Sequence, residues 1–72
     1  MDLEECARRV MARLQEAGAQ IASDAEAIPR VAISALTVVL PDGRADGFEW
    51  ITSRPADYAT RLIALAARLG ID

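Results

Sequence analysis

Apolar residues recur every three or four positions over the first twenty residues of the chain, which is the spacing of one face of an α-helix. Asp2 followed by Glu5 has the pattern of a helix-starting capping box. We therefore predict a first helix from about Leu3 to Ala22, with pairs such as Glu5 and Arg9 on its exposed side. Gly18 either allows another element to approach closely or marks an early helix end. The apolar stripe comprises Leu3, Ala7, Val10, Leu14, Ala17 and Ile21.

The most apolar stretch of the chain runs from Val31 to Leu40 and predicts a β-strand. Pro29 stops helix propagation before it, so Ser23–Ile28 is predicted to be a connector with at most a short extra turn. The run 37–39 is rich in β-branched residues and favours the strand. The apolar side switches near Ser34–Ala35, which leaves four alternatives open: a bulge, burial of both faces, a loop over the first residues, or a short buried helix.

A turn and a second strand follow this run. Pro41–Gly43 is a strong turn signal, and Asp46–Gly47 is a second one, so the connecting loop has between two and seven residues. The second strand is predicted over Gly47–Thr52. Phe48 and Trp50 lie on one side of it, and we expect them to anchor the sheet to the helices.

A second helix is predicted from about Arg54–Pro55, with Ser53 as its N-cap and proline in its first turn. Asp57 and Arg61 have the i,i+4 spacing of a stabilising ion pair. Gly70 predicts a helix end of the Schellman type. The buried side of this helix is predicted to carry Tyr58, Leu62, Leu65 and Leu69.

These elements predict a single small α+β domain over residues 1–72, with the order helix–β-hairpin–helix (αββα). Both helices are expected to pack on one face of a two-stranded antiparallel sheet. Such a sheet is marginal in water by itself. We therefore expect a second copy to extend it to four strands in a dimer. The residues predicted at this sheet contact are Leu36, Val38 and Leu40.

The composition excludes much catalytic and metal chemistry. The chain has no histidine, and Cys6 is its single cysteine, so neither an intrachain disulfide nor a Cys–His nucleophile pair can form. A calcium loop over Asp42–Gly47 is excluded because Arg44 occupies a ligand position. We predict no catalytic residue, no metal and no cofactor. The acidic start and the absence of an apolar run of about twenty residues predict a cytoplasmic protein that does not contact the membrane.

Two charged surfaces are further candidates for partner binding. Arg54, Arg61 and Arg68 recur every seven residues on one stripe of the second helix. Asp42 and Asp46, with Glu49 beyond them, form an acidic loop surface. The net charge of −3 disfavours nucleic acid as a partner.

From these patterns we predict a small non-enzymatic module that binds proteins, as a homodimer or as a subunit of a larger bacterial or phage assembly. One alternative is an inhibitor or regulator of nucleic-acid machinery, such as a host-defence inhibitor, that uses the acidic loop or the arginine stripe. The other alternative is a ligand-binding or enzyme subunit whose site forms between chains.

Overall fold

The computed structural model describes residues 2–28 and 32–71, and over these it has an α+β fold with the order α–β–β–β–α. The three strands form one antiparallel sheet in the order β1–β2–β3. The α+β class is confirmed, whereas the predicted αββα order with a two-stranded sheet is wrong because it lacks one strand. The elements are α1 (Leu3–Glu16), β1 (Gln20–Ile28), β2 (Ile33–Val39), β3 (Ala45–Ile51) and α2 (Pro55–Arg68).

Strand β1, which was not predicted, is formed by residues that were predicted to be the end of the first helix and the connector. Helix α1 begins as expected, with the Asp2 carboxylate accepting the Glu5 N–H at 2.7 Å. It ends at Glu16 because Gly18 takes a φ of +81°. The chain then leaves in an extended conformation, so the predicted end at Ala22 is wrong. Both predictions for Gly18 are confirmed, since a Cβ at this position would lie only 3.1 Å from the Cγ of Pro41 in a neighbouring loop.

Both helices end in a Schellman motif. After α1, the Ala19 N–H donates to the Leu14 carbonyl at 3.1 Å. After α2, the Ile71 N–H donates to the Ala66 carbonyl at 2.7 Å, and Gly70 has a φ of +78°. In each case a glycine in the left-handed region lets the backbone satisfy its last carbonyls. The predicted end of α2 is confirmed.

Strand β2 is regular over its whole length. It pairs with β3 without interruption from Ile33 opposite Ile51 to Val39 opposite Ala45. The structure has neither a bulge nor a helix near Ser34, where the apolar residues of the sequence change side. The serine is buried on the same face as Leu36 and Val38. An irregularity in pairing occurs in β1 instead, between Asp24 and Ile28. The predicted start of this strand at Val31 lies outside the described residues.

Residues 40–44 connect β2 to β3, and Leu40 and Arg44 close a tight turn over residues 41–43. The Leu40 N–H donates to the Arg44 carbonyl at 2.7 Å, and the Gly43 N–H donates back to the Leu40 carbonyl at 3.0 Å. Gly43 has a φ of +93°, as the left-handed position of such a loop requires. The second turn signal, Asp46–Gly47, lies within β3, so this strand begins two residues earlier than predicted.

Helix α2 begins without a side-chain cap. Arg54 occupies the N-cap position and Pro55 follows it, so the predicted cap at Ser53 is wrong. The start is held instead by Asp57, whose carboxylate accepts the Ile51 N–H at 3.3 Å and the Arg61 Nε at 2.9 Å. The second contact confirms the predicted ion pair.

Helices and sheet meet in one apolar core, with both helices on the same face of the sheet. Phe48, Trp50 and Tyr58 form an aromatic cluster between β3 and α2, with ring centroids 4.9–6.0 Å apart. This contact confirms the expected role of the two strand aromatics. The buried core residues are Ala7, Leu14, Leu36, Val38, Leu40, Ala59, Leu62, Leu65 and Leu69.

Candidate interaction surfaces

The residues predicted at the dimer contact lie in the core of the single chain. Leu36, Val38 and Leu40 are only 4%, 0% and 4% exposed, because they point from the sheet toward the helices. The alternate residues of β2 point to the opposite side, and among the described residues no element packs there. We call this opposite side the open face of the sheet.

The strand register arranges the open face in rows across the sheet. Ala22, Thr37 and Gly47 form the middle row. On one side of it Val39 is flanked by Gln20 and Ala45, and Val39 is 37% exposed. Where one face of an antiparallel sheet is exposed to solvent, the residues that point to that face are normally polar. Here the central strand presents two aliphatic residues and an alanine beside one threonine. These four residues are Ile33, Ala35, Thr37 and Val39.

The open face is flat at its centre and acidic on one side. A Cβ on Gly47 would lie 2.8 Å from the Leu36 carbonyl oxygen, so the close approach of the two strands requires glycine there. Asp24 and Glu49 flank Ala35 in the row on the other side of the centre, and both are exposed. The face therefore combines a small apolar centre with one acidic row.

The arginine stripe and the acidic residues of the hairpin are largely paired with one another or with close neighbours. The Arg68 Nε lies 2.6 Å from the Asp46 carboxylate, which joins α2 to β3. This guanidinium, together with the Gly47 N–H, holds the pKa of Asp46 below its usual value. Arg61 lowers the pKa of Asp57 in the same way, at the pair described above.

Asp42 is paired within the β2–β3 loop. Its carboxylate accepts the Arg44 N–H at 3.0 Å and the Arg44 Nε at 2.8 Å, and these two bonds lower the pKa of Asp42. The same guanidinium donates to the Leu69 carbonyl at the end of α2. Among the described residues, the Asp46–Arg68 pair joins the two surfaces that the sequence placed apart, whereas Asp42 and Arg61 are paired within their own loop and helix.

A second apolar surface, which was not predicted from the sequence, lies between the two helices. It is a cavity of about 280 Å³ with a largely apolar lining, and we call it the interhelical groove. A signal for it in the sequence is that Cys6 and Met11 lie beside the apolar stripe of the first helix and widen it. Its lining includes Cys6, Arg9, Val10 and Arg13 of α1 and Ile63 and Ala67 of α2.

Within residues 2–28 and 32–71, no three His, Cys, Asp or Glu side chains lie close enough together to hold a metal ion. No helix in these ranges has the length and apolar character needed to cross a bilayer.

No protein-family model, curated protein or solved structure matched this chain.

Proposed function

We propose that this chain is a small non-enzymatic protein-binding module that works through protein–protein contact as a homodimer, with the open face of the sheet as its interface. The observation that carries the proposal is the exposed apolar side of the central strand, on which Val39 is 37% exposed. The proposal keeps the predicted dimer but moves its contact from Leu36, Val38 and Leu40 to the opposite side of the same strand.

A second copy suits this face because a two-fold contact must be self-complementary. The acidic row of Asp24 and Glu49 lies on one side of the middle row, and the uncharged row of Val39 lies on the other. A two-fold axis through the middle row places the acidic row of each copy over the uncharged row of its partner. Like charges are then kept apart, and two flat sheet faces pack at about 10 Å.

The size of the chain also favours association. Domains of fewer than about 80 residues rarely gain more than about 3–5 kcal/mol from one core. This chain has 72 residues and one cysteine, so it cannot supplement its core with a disulfide. Burial of the open face in a dimer would add apolar contact without any change in the fold.

The experiment is sedimentation equilibrium of the wild type and two variants at about 1–100 μM. Val39→Asp places a charge in the row that faces the acidic row of the partner, and we expect it to be monomeric where the wild type is dimeric. Thr60→Asp adds the same charge on an exposed position of α2 and is expected to remain dimeric. Circular dichroism checks that both variants keep the fold. A monomeric wild type, or a dimeric Val39→Asp, would overturn the proposal.

A further inference from the structure

The interhelical groove has a chemical asymmetry that goes beyond the proposed dimer. Its α1 side carries two arginines, Arg9 and Arg13, whereas its α2 side is formed by small or aliphatic residues such as Ile63 and Ala67. The molecule as a whole has a net charge of −3. A basic edge beside an apolar cavity therefore contrasts with the rest of an acidic protein.

We propose that the interhelical groove binds an amphipathic helix of a partner protein whose carboxylates lie along the edge that faces α1. Recognition of this kind places apolar residues at i, i+3, i+4 and i+7 into a hydrophobic groove. The α1 residues that line the groove run from Cys6 to Arg13, a length of about 10 Å, so about two turns of the partner helix are in contact.

The spacing of the two arginines sets the pattern of the partner. Arg9 and Arg13 are one turn apart, which corresponds to about 6 Å along the helix axis. Two carboxylates with i,i+4 spacing on the bound helix match this distance. Arg9 can change partners at low cost, because its pair with Glu5 is 3.5 Å long and its side chain is 61% exposed.

The small residues on the α2 side allow the bound helix to approach closely. Ala66 is buried at the base of the groove and Ala67 is exposed beside it. A second copy of the chain fits less well. A two-fold axis across the groove would bring four guanidinium groups together, and an axis along the groove would place the arginines over the uncharged α2 side of the partner.

The first experiment compares two peptides of about 14 residues with identical leucines at i, i+3, i+4 and i+7. One peptide carries two glutamates, four residues apart, on one edge, and the other carries lysines there. Fluorescence polarisation with the full chain is expected to detect the glutamate peptide and to show an affinity that falls with added salt. Cys6 lines the groove, so its alkylation is expected to slow when this peptide is bound.

Three variants locate the binding site. The double variant Arg9→Gln with Arg13→Gln is expected to weaken peptide binding about tenfold, because it removes two exposed ion pairs between the groove and the peptide. The control, Arg8→Gln with Arg54→Gln, removes the same charge outside the groove and leaves the affinity unchanged. Ala67→Glu puts a carboxylate at an exposed groove position and is expected to abolish binding with the fold intact.

Peptide binding is also measured with Val39→Asp, the variant expected to be monomeric. Binding is expected to persist in this variant, so a failure of the dimer proposal and a failure of the groove proposal can be distinguished. The proposal is overturned if neither peptide binds at about 1 mM, if the lysine peptide binds as well, or if Cys6 stays as reactive as before. Protection of Cys6 that rises with protein concentration alone would assign the groove to a second copy and also overturn it.

Discussion

At the scale of single residues, Ser34 explains why the central strand is hard to interpret from sequence. It is 1% exposed and lies on the core face, where the neighbouring positions are apolar. Its Oγ lies 2.7 Å from the Thr52 Oγ1, so the hydroxyl group is satisfied inside the protein. A buried hydroxyl with a hydrogen bond costs little, and this allows serine to interrupt the apolar pattern without a change in the strand.

We expect Ser34→Ala to lower the free energy of unfolding by about 1 kcal/mol, the usual value of one such bond. Urea denaturation measures it, and a double-mutant cycle with Thr52→Ala is expected to give a coupling energy of about 0.5–1.5 kcal/mol. The exposed neighbour Ser53→Ala serves as control and should change stability by less than about 0.5 kcal/mol. A coupling energy of zero would show that the two hydroxyl groups do not stabilise each other.

At the scale of elements, the conformation of Gly18 ends α1 early enough for Gln20–Ile28 to form a third strand of the sheet. Its positive φ ends α1 and turns the chain into β1, while its missing side chain makes room for the β2–β3 loop. A Cβ at this position would lie 3.1 Å from the Cγ of Pro41. Gly43, in the loop itself, also has a positive φ, but a Cβ there would meet no atom within 4 Å.

The two glycines therefore form a matched pair. An L-residue in the left-handed region costs roughly 1–2 kcal/mol, so Gly43→Ala is expected to lose about that much stability. Gly18→Ala is expected to lose more, because it adds the contact with Pro41 to the same backbone cost. Chemical denaturation of both variants measures the difference. Equal losses would mean that the helix end and the loop can move apart freely.

At the scale of the whole molecule, the fold has a thin shape and one side without cover. Its extents are 35 × 30 × 16 Å, which corresponds to one helical layer on one sheet. The ion pair of Arg68 with Asp46 and the bond from Arg44 to the Leu69 carbonyl join the two layers at the end of α2. A dimer through the open face would convert these two layers into four.

Association of this kind links stability to concentration. Because a dimer stabilises the folded state by mass action, we expect the Tm of the wild type to rise with protein concentration. The Tm of Val39→Asp is expected to stay constant over the same range, since its interface is blocked. Differential scanning calorimetry at several concentrations tests both. A constant Tm for the wild type would contradict a dimer that forms in the folded state.

The sequence by itself determined the local elements whose signals lie within a few residues. Short-range spacing and turn chemistry account for the Asp2 cap of α1, the Gly70 end of α2, the Pro41–Gly43 loop and the Asp57–Arg61 pair. The α+β class follows from them as well. These features are predictable because the interactions that stabilise them act within one turn of helix or one hairpin.

Only the tertiary structure decided that Gln20–Ile28 is a strand. Its backbone hydrogen bonds are made with β2, and its own polar, alanine-rich sequence does not predict that pairing. The same long-range pairing decided which side of β2 is buried. It placed Leu36 and Val38 under the helices and Val39 on the open face, because a strand alternates and only its neighbours fix which alternate set faces the core.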